Sequence, residues 1–329
     1  MEELHPAARI FITGGTGFFG RALLRYLCHQ SESGHPTPEI TLLSRAPQVF
    51  LNAYPEFGAL TWLQIVQGDV QDLESMNGLG AFSHVLHAAT DSTRGPQMSP
   101  LDRYDQIVHG TRSALEFALR SGATRFLLTS SGGVYGPQPP GMELIPEDWN
   151  GIPDPLDPRQ AYSLGKRGAE HLTALYHEAH GLETVVARCF AFVGEDLPLD
   201  VHFAMGNFLY DALYNEVIRV KGNGHPMRSY MDQEDLAHWL WVMLDLGLPN
   251  RAYNVGSDAP ISLLDLAYRI RDLLAPQKDV VIEGQSETNP LRNLYVPSIE
   301  RARDELGLGL RFDLNQGIQR AVKKRMMAM

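Results

Sequence analysis

A tyrosine and a lysine stand four residues apart in the segment AYSLGKRGAE, as Tyr162 and Lys166. On a helix, residues at this spacing share one face, and the run from 160 to 180 has helical apolar spacing. A free tyrosine has a pKa of about 10 and is a poor base at neutral pH, but nearby positive charge favours its phenolate. The pair predicts a proton-transferring tyrosine tuned by Lys166; the alternative is a surface pair.

A second polar group follows an apolar strand in the stretch LLTSSGGVYG, residues 127–136. Two hydroxyls, Ser130 and Ser131, precede two glycines, Gly132 and Gly133, and none of these side chains is an acid or a base. Successive residues of a strand point to opposite faces, so only one serine is expected to face a site at the strand end. The stretch predicts a hydrogen-bonding hydroxyl without a partner that transfers protons.

The segment TGGTGFFG, residues 13–20, places three glycines between a strand and a helix. Glycine permits close backbone approach, and the N-terminus of a helix can hold the pyrophosphate of a dinucleotide. The alternative is an ordinary glycine-rich turn. The cofactor contacts predicted here are Gly14, Thr16, Gly17, Phe18 and Gly20.

The second strand ends in LLSR, where an acidic residue would bind the adenosine ribose. Ser44 and Arg45 stand there instead and suit a 2′-phosphate, so NADP(H) is favoured and NAD(H) is the alternative. Arg45 as a solvated loop residue is the competing interpretation. Further contacts are predicted at the ends of the third and fourth strands, at Asp69, Val70, Ala88 and Ala89.

Short apolar runs alternate with helical stretches over the first half of the chain, which predicts an α/β fold with a doubly wound, parallel Rossmann sheet. Strands are expected at 9–13, 39–44, 62–69, 84–89, 124–131 and 183–194. We expect a cofactor domain over 1–190, to which a segment near 231–256 returns. A smaller substrate domain is expected over 191–329.

The 329-residue chain has a formal net charge of −11, which argues against nucleic acid as a partner because backbone binding requires basic surface. No apolar run is long enough to span a membrane, and the N-terminus lacks the pattern of a signal peptide. Two cysteines in apolar contexts are expected to pack rather than to pair. These features predict a cytoplasmic protein, and no metal-ligand spacing is present.

Taken in order, the segments TGGTGFFG, HAAT, SSGGVYG and AYSLGKRGAE resemble those of extended short-chain dehydrogenases/reductases. The closest resemblance is to the NAD-dependent epimerase/dehydratase group that acts on nucleotide sugars. IRVKGNGHPMRSYMDQEDLAHWL and RARDELGLG extend it over nearly the whole chain. The resemblance implies a catalytic set of Tyr162, Lys166 and Ser131. There, Tyr162 is the acid/base and Lys166 also holds the nicotinamide ribose.

Two departures from the family pattern bear on chemistry. Ile107 stands in IVHGT where relatives usually carry an asparagine, so this chain lacks the side-chain amide at that position. In the 4,6-dehydratases of the family an Asp-Glu pair follows the catalytic hydroxyl, removes the C5 proton and protonates the departing C6 hydroxyl. Gly132 and Gly133 occupy those positions and cannot transfer protons, so dehydration is disfavoured.

The resemblance also implies contacts to the diphosphate of a nucleotide sugar through Arg228 and Arg292, and to the same diphosphate or the sugar through Asn207. Bidentate pairing of guanidinium with phosphate explains how an acidic protein holds this anion. The competing interpretations are a solvated loop for Arg228, a surface salt bridge for Arg292 and a helix cap for Asn207.

These features favour an NAD(P)-dependent reductase of nucleotide-linked 4-keto-6-deoxyhexoses that acts at C4. The runner-up is a 4-epimerase, which uses the same three residues and retains NAD. A sensor or scaffold that binds cofactor without turnover is a remote third alternative, because such relatives tend to lose the Tyr/Lys pair. The helices at 103–122 and 160–180 resemble a four-helix interface of relatives and predict a homodimer.

Overall fold

The structure is a computed structural model, and it describes residues 8–90, 95–199, 201, 203–284 and 294–327. The chain forms two compact units. The first comprises Met1–Val134, Pro153–Arg188 and Ala237–Tyr253. The second comprises Tyr135–Ile152, Cys189–Leu236 and Asn254–Met329.

A seven-stranded sheet organises the first unit, and its strands follow the order β3-β2-β1-β4-β5-β6-β11. The strands are β1 (Arg9–Thr13), β2 (Glu39–Ser44), β3 (Leu63–Gln67), β4 (His84–His87), β5 (Arg125–Ser131), β6 (Glu183–Cys189) and β11 (Arg251–Val255). The pairs from β3 through β5 are parallel. This is the doubly wound order of a Rossmann sheet, and the predicted fold class is confirmed.

The helices of this unit connect successive strands. They are α1 (Phe18–Glu32), α2 (Pro47–Ala53), α3 (Pro100–Arg120), α4 (Ala161–His180) and α6 (Gln233–Leu246), whose first residues belong to the second unit. Helix α3 begins at a proline behind the cap Ser99, and α4 ends at Gly181 in the left-handed conformation. Parallel strands require crossover helices of this kind, because the chain must return to the same end of the sheet.

Apolar side chains fill the space between the sheet and helices α3 and α4. Phe11, Phe82 and Phe117 form an aromatic cluster in which the ring centroids are 4.3 to 5.8 Å apart. Alanines and leucines of both helices complete this core, and Tyr162 packs against it. The core therefore fixes α3 and α4 relative to the ends of the strands.

The second unit has shorter elements. Its strands are β7 (Phe192–Val193), β8 (Val217–Val220), β9 (Met227–Arg228), β10 (Met231–Asp232), β12 (Ile261–Ser262), β13 (Asp279–Ile282) and β14 (Leu294–Tyr295). Its helices are α5 (Ala204–Tyr214), α7 (Leu263–Leu274), α8 (Glu300–Leu306) and α9 (Leu314–Met327). The strands pair as β10-β7, β12-β9-β14 and β13-β8. Within the described ranges, no helix is long and apolar enough to cross a membrane.

Candidate functional site

The glycine-rich loop lies directly after β1 and turns into α1. Gly14 has a φ of +72°, and a Cβ placed on it would lie 2.4 Å from the carbonyl oxygen of Ala88. A Cβ at Gly20 would lie 2.0 Å from the carbonyl oxygen of Gly15, so this glycine lets the helix pack closely on the loop. These two positions require glycine for steric reasons, and together they bring the loop against the end of β4.

The N-terminus of α1 has the properties of an anion site. The helix begins at Phe18, its cap residue is Gly17, and in the described part of the chain no side chain caps it. The first turn carries no acidic residue, and the backbone of Thr16 is fixed by a bond from Arg21 Nη1 to its carbonyl oxygen. The dipole of α1 and the absence of an acidic residue in its first turn favour a phosphate here, so the residues fit a dinucleotide cofactor.

The end of β2 presents a buried serine and an exposed arginine. Ser44 Oγ accepts a hydrogen bond from the backbone nitrogen of Ala46 at 3.2 Å, and this bond shapes the turn. Arg45 is exposed and makes no salt bridge with any described residue. Its guanidinium is therefore available to an anionic ligand.

The remaining predicted cofactor residues lie on turns after neighbouring strands. Asp69 Oδ1 accepts a bond from the nitrogen of Gln71, so part of its carboxylate serves the local turn. Val70 packs toward α3, where a Cβ on Gly110 would lie 3.5 Å from its Cγ1. Ala88 donates its N–H to the Thr13 carbonyl at 3.1 Å, and Ala89 follows it. The small residues leave the backbone close to the glycine loop.

Lys166 is buried and holds a fixed position between the sheet and α4. Its Nζ donates to the carbonyl oxygen of Thr129 at 2.7 Å and to Thr90 Oγ1 at 2.8 Å. Both partners are neutral acceptors, and they anchor the ammonium where β4 and β5 end. A buried charge that is held by neutral groups supplies a strong local potential.

Tyr162 lies one turn before Lys166 on α4 and is half-buried. One part of its ring packs against the core. The guanidinium carbon of Arg103, from α3, lies 4.5 Å from the ring centroid. The ring thus has a defined position set by the core and by a cation.

The two serines that end β5 have different partners. Ser130 Oγ donates to Glu170 Oε1 at 2.6 Å, and Glu170 pairs with Arg188 at 2.8 Å. Ser131 Oγ instead accepts a bond from the backbone nitrogen of Gly133 at 3.1 Å. Because that bond uses a lone pair of Ser131, the hydroxyl keeps its proton for another acceptor. Ser130 belongs to a structural network, whereas Ser131 is suited to a ligand.

His87, at the end of β4, is part of a buried hydrogen-bond chain. Thr111 Oγ1 donates to the Ile107 carbonyl at 2.7 Å, so it accepts from His87 Nε2 at 3.2 Å. The hydroxyl of Thr13 then donates to His87 Nδ1 at 2.7 Å. Burial, reinforced by the charge of Lys166, lowers the pKa of His87 from 6.5 to about 3. The imidazole is neutral and supports the loop rather than transferring protons.

Taken together, these side chains can exchange a proton with a hydroxyl or carbonyl oxygen. Tyr162 carries the transferable proton, Lys166 supplies positive potential, and Ser131 offers a hydrogen bond. Gly132 and Gly133, which begin the 3₁₀ turn after β5, bring no acid or base. An anion site and a proton-transfer site on one sheet are typical of a nicotinamide-dependent oxidoreductase.

Comparison with known proteins decides the family. The model of the NAD dependent epimerase/dehydratase family matches residues 10–256, which is more than half of the chain. The chain belongs to this family. The family resemblance of the sequence motifs is therefore confirmed. The chain is an enzyme of this family, which acts on nucleotide sugars.

Individual family members show the range of chemistry. The chain is 27% identical to UDP-glucuronic acid decarboxylase 2 of Arabidopsis thaliana, over 96% of this chain and 67% of that protein. Two solved structures share the fold at 20% identity. UDP-glucose 4-epimerase of Thermotoga maritima has a TM-score of 0.82, and the match covers 98% of this chain and 100% of the epimerase chain. dTDP-glucose 4,6-dehydratase of Bacillus anthracis, in complex with NAD, has a TM-score of 0.80, and the match covers 98% of this chain and 97% of the dehydratase chain.

Two of the residues predicted to bind the nucleotide sugar, Asn207 and Arg228, are described in the second unit. Asn207 lies inside α5, and its buried Oδ1 has no hydrogen-bond partner among the described residues. The cap of that helix is Phe203, so the helix-cap interpretation of Asn207 is wrong. Arg228 is half-buried on β9 and stacks 5.8 Å from the ring centroid of Tyr295. It is not a solvated loop residue. Arg292 lies outside the described residues.

Several functional contacts were missed from the sequence. Thr90 and Thr129 hold Lys166, and Arg103 covers Tyr162. Thr90 ends the HAAT segment and Thr129 lies in LLTSSGGVYG, but neither was predicted to hold Lys166, and Arg103 belongs to no motif. One signal existed for Arg103, because it lies one helical turn before Ile107, the position that departs from the family pattern. Among the described residues, no group of three or more His, Cys, Asp or Glu side chains is arranged to hold a metal ion.

Proposed function

We propose that this chain transfers a hydride between a bound nicotinamide and C4 of a nucleotide-diphosphate hexose, and that it acts as a reductase of 4-keto-6-deoxy sugars. One observation carries the proposal. The chain has a half-buried Tyr162, a buried Lys166 and a Ser131 whose hydroxyl proton is available, while the turn that follows Ser131 has glycines at 132 and 133. The chain keeps what hydride transfer needs and lacks side chains for elimination.

When bound, the nicotinamide supplies the hydride that converts the C4 carbonyl into an alcohol. The residues of the chain handle the proton and the charge. Ser131 donates a hydrogen bond to the sugar O4, in an orientation fixed by the N–H of Gly133. Tyr162 delivers its proton to O4, and Lys166 stabilises the phenolate that remains. The cofactor would be held by the glycine-rich loop and by Asp69, Val70, Ala88 and Ala89.

A closed redox cycle is the second candidate, and the relatives favour it. In a 4-epimerase, Tyr162 first accepts the proton of the C4 hydroxyl and later returns it, and the cofactor is regenerated. In a decarboxylase of a nucleotide hexuronate, the 4-keto intermediate is a β-keto acid, which loses CO2 without a base that removes a carbon-bound proton. Both cycles therefore tolerate Gly132 and Gly133. A catalytically silent sensor remains the least favoured candidate, because Tyr162, Lys166 and Ser131 are all present.

Cofactor content and cofactor demand separate these candidates. The purified protein is denatured, any released nucleotide is identified, and NADPH or NADH is added with a dTDP-linked 4-keto-6-deoxyhexose. We expect the protein to oxidise one molecule of reduced cofactor for each molecule of sugar that it reduces. Protein that releases NAD and consumes none would favour the closed cycle, and UDP-glucose or UDP-glucuronate would then be converted without added cofactor.

Arg45 provides a test of cofactor preference. Because its exposed guanidinium has no salt bridge in the described part of the chain, we propose that it pairs with the 2′-phosphate of NADP(H). Arg45→Leu should weaken NADPH binding about 10- to 100-fold, the equivalent of one charged hydrogen-bonding contact, and leave NADH binding nearly unchanged. Titration calorimetry measures both. Arg112→Leu, an exposed arginine on α3, is the control, and an equal loss for both cofactors would contradict the role.

The two units suggest a division of labour. We propose that the first unit binds the cofactor and carries Tyr162, Lys166 and Ser131. The second unit would hold the substrate, its diphosphate through Arg228 and a sugar hydroxyl through the buried Oδ1 of Asn207. A guanidinium suits a diphosphate, and the unpartnered Oδ1 accepts a hydrogen bond, so it suits a hydroxyl group. Arg292 is proposed as a second guanidinium from its sequence position alone.

We also propose a homodimer formed by α3 and α4. Both helices expose large apolar side chains, including Tyr104 at 38% and Leu175 at 49% exposure. Exposed apolar surface of this kind marks interfaces. Sedimentation should give a dimer at micromolar concentration, and Leu175→Asp with Tyr104→Asp should give a folded monomer. Leu246→Asp, exposed on α6, is the matched control, and a wild-type monomer would refute the proposal.

A further inference from the structure

Arg103 is the cation that α3 contributes to the catalytic region. Its guanidinium carbon lies 4.5 Å from the centroid of the Tyr162 ring. The side chain is half-buried, and its Nε has no hydrogen-bond partner among the described residues. The backbone at Gly95 also lies close to this side chain, since a Cβ placed on Gly95 would lie 3.2 Å from Arg103 Nε. The arginine is thus partly dehydrated while it faces the ring.

The surrounding helix surface explains why this charge acts on Tyr162. One turn after Arg103, the buried Ile107 packs on α4, where a Cβ on Gly165 would lie 3.2 Å from Ile107 Cδ1. This close contact fixes the spacing of the two helices beside Tyr162. Ile107 also gives the pair an apolar neighbour, and apolar surroundings strengthen electrostatic interactions.

Two described elements bring a cation to the region of Tyr162. Helix α3 supplies Arg103, and α4 supplies Lys166 one turn after the tyrosine. His87 on β4 is neutral, and Glu170, two turns along α4, is paired with Arg188. Burial lowers the pKa of Arg103 and interaction with the phenol of Tyr162 opposes that effect, so the two groups are coupled. Coupling of this kind is reciprocal.

We propose that Arg103 is a positioning residue for Tyr162, which holds the ring by a cation–π contact and joins Lys166 in stabilising the phenolate. The effect of Arg103 on turnover rests on the proposed function. The interaction between Arg103 and Tyr162 does not. A flat guanidinium can cover an aromatic face and remain charged at every pH at which the enzyme works. Lys166 alone is a point charge that is already held by Thr90 and Thr129.

Direct titration of Tyr162 tests this inference without substrate or cofactor. Protein labelled with 13C at the tyrosine Cζ is titrated by NMR, and Tyr162→Phe assigns the signal. In Arg103→Met the titration midpoint of Tyr162 should rise by about 0.5 to 2 pH units, the range expected for loss of a unit charge about 5 Å away. Arg103→Lys should restore most of the wild-type midpoint, and Arg112→Met on the same helix should leave it unchanged.

An unchanged midpoint in folded Arg103→Met would overturn the inference. Thermal unfolding establishes whether that variant is folded; if it is not, Arg103→Gln and Arg103→Lys give the comparison, and equal midpoints in these two would also overturn it. Once a substrate is found, the limb of the pH–rate profile that reports Tyr162 should move in the same direction. A shifted midpoint in a protein that turns over no nucleotide sugar would sustain the role of Arg103 while removing the proposed function.

Discussion

Tyr162→Phe should lower kcat by about 10²- to 10⁴-fold and leave cofactor affinity within about threefold of the wild type, because it removes a transferred proton. The phenyl ring keeps its packing against the core and under Arg103, so the fold should be preserved. Lys166→Met should lower kcat by a similar factor. It should also weaken cofactor binding, because the resemblance gives Lys166 a contact to the nicotinamide ribose.

The matched control for Tyr162 is on the same helix. Tyr176→Phe removes a hydroxyl that bonds Glu116 at 3.4 Å and lies about four turns from the catalytic region. It should retain full turnover. Single-turnover measurements of absorbance from the reduced nicotinamide report the hydride step separately from product release. More than a tenth of the wild-type rate in Tyr162→Phe would exclude this tyrosine as the acid/base.

Stability should fall steeply in acid because of His87. The pKa of this buried imidazole is lowered from 6.5 to about 3, so the folded protein does not bind the proton that the unfolded chain takes up below pH 6.5. Protonation therefore favours unfolding, and the stabilising contribution is complete above pH 6.5 and lost as the pH falls toward 3. From about pH 7 to pH 4, this group should cost on the order of 3 kcal/mol.

Urea unfolding followed by circular dichroism at several pH values measures this effect. His87→Gln keeps a donor for Thr111 and an acceptor for Thr13 without a titrating group, so its unfolding free energy should depend less on pH than that of the wild type. His84, whose pKa burial lowers to about 4, will contribute in both proteins. His180→Gln, at the exposed end of α4, is the matched control. Parallel curves for wild type and His87→Gln would contradict the assignment.

The local pattern of apolar residues predicted most of the strands of the first unit. Strands β1 and β2 begin and end where the apolar runs 9–13 and 39–44 predict, because each run is continuous and bounded by polar or turn residues. The predicted strand 183–194 is two strands, β6 and β7, separated at residues 190 and 191. An apolar run does not indicate where the chain leaves a sheet, since that depends on which neighbour it pairs with.

The candidate site was predictable where residues lie on one helix or one strand. Tyr162 and Lys166 are related by helical spacing, and the contrast between Ser130 and Ser131 by strand alternation. Thr90 and Thr129 reach Lys166 from the ends of different strands, and Arg103 reaches Tyr162 from another helix. Such contacts depend on strand order and helix packing, which sequence spacing does not encode.

The absence of side chains at 132 and 133 gave the clearest functional restriction. Neither glycine has a positive φ, so backbone conformation does not require them. Packing does restrict one of them, because a Cβ on Gly133 would lie 2.8 Å from Ser163 Oγ. The serine that follows Tyr162 thus occupies the space that a larger residue at 133 would use. This contact joins the β5 turn to α4 beside Ser131.

The position of a transferred deuterium tests the central claim most directly. NADPH deuterated at both hydrogens of nicotinamide C4 is incubated with the protein and a dTDP-linked 4-keto-6-deoxyhexose, and the product is analysed by NMR. The account predicts one deuterium, bonded to C4 of the sugar, and none in the product of Tyr162→Phe over the same time. Reduced sugar that carries deuterium at another carbon, or only hydrogen from water at C4, would contradict it.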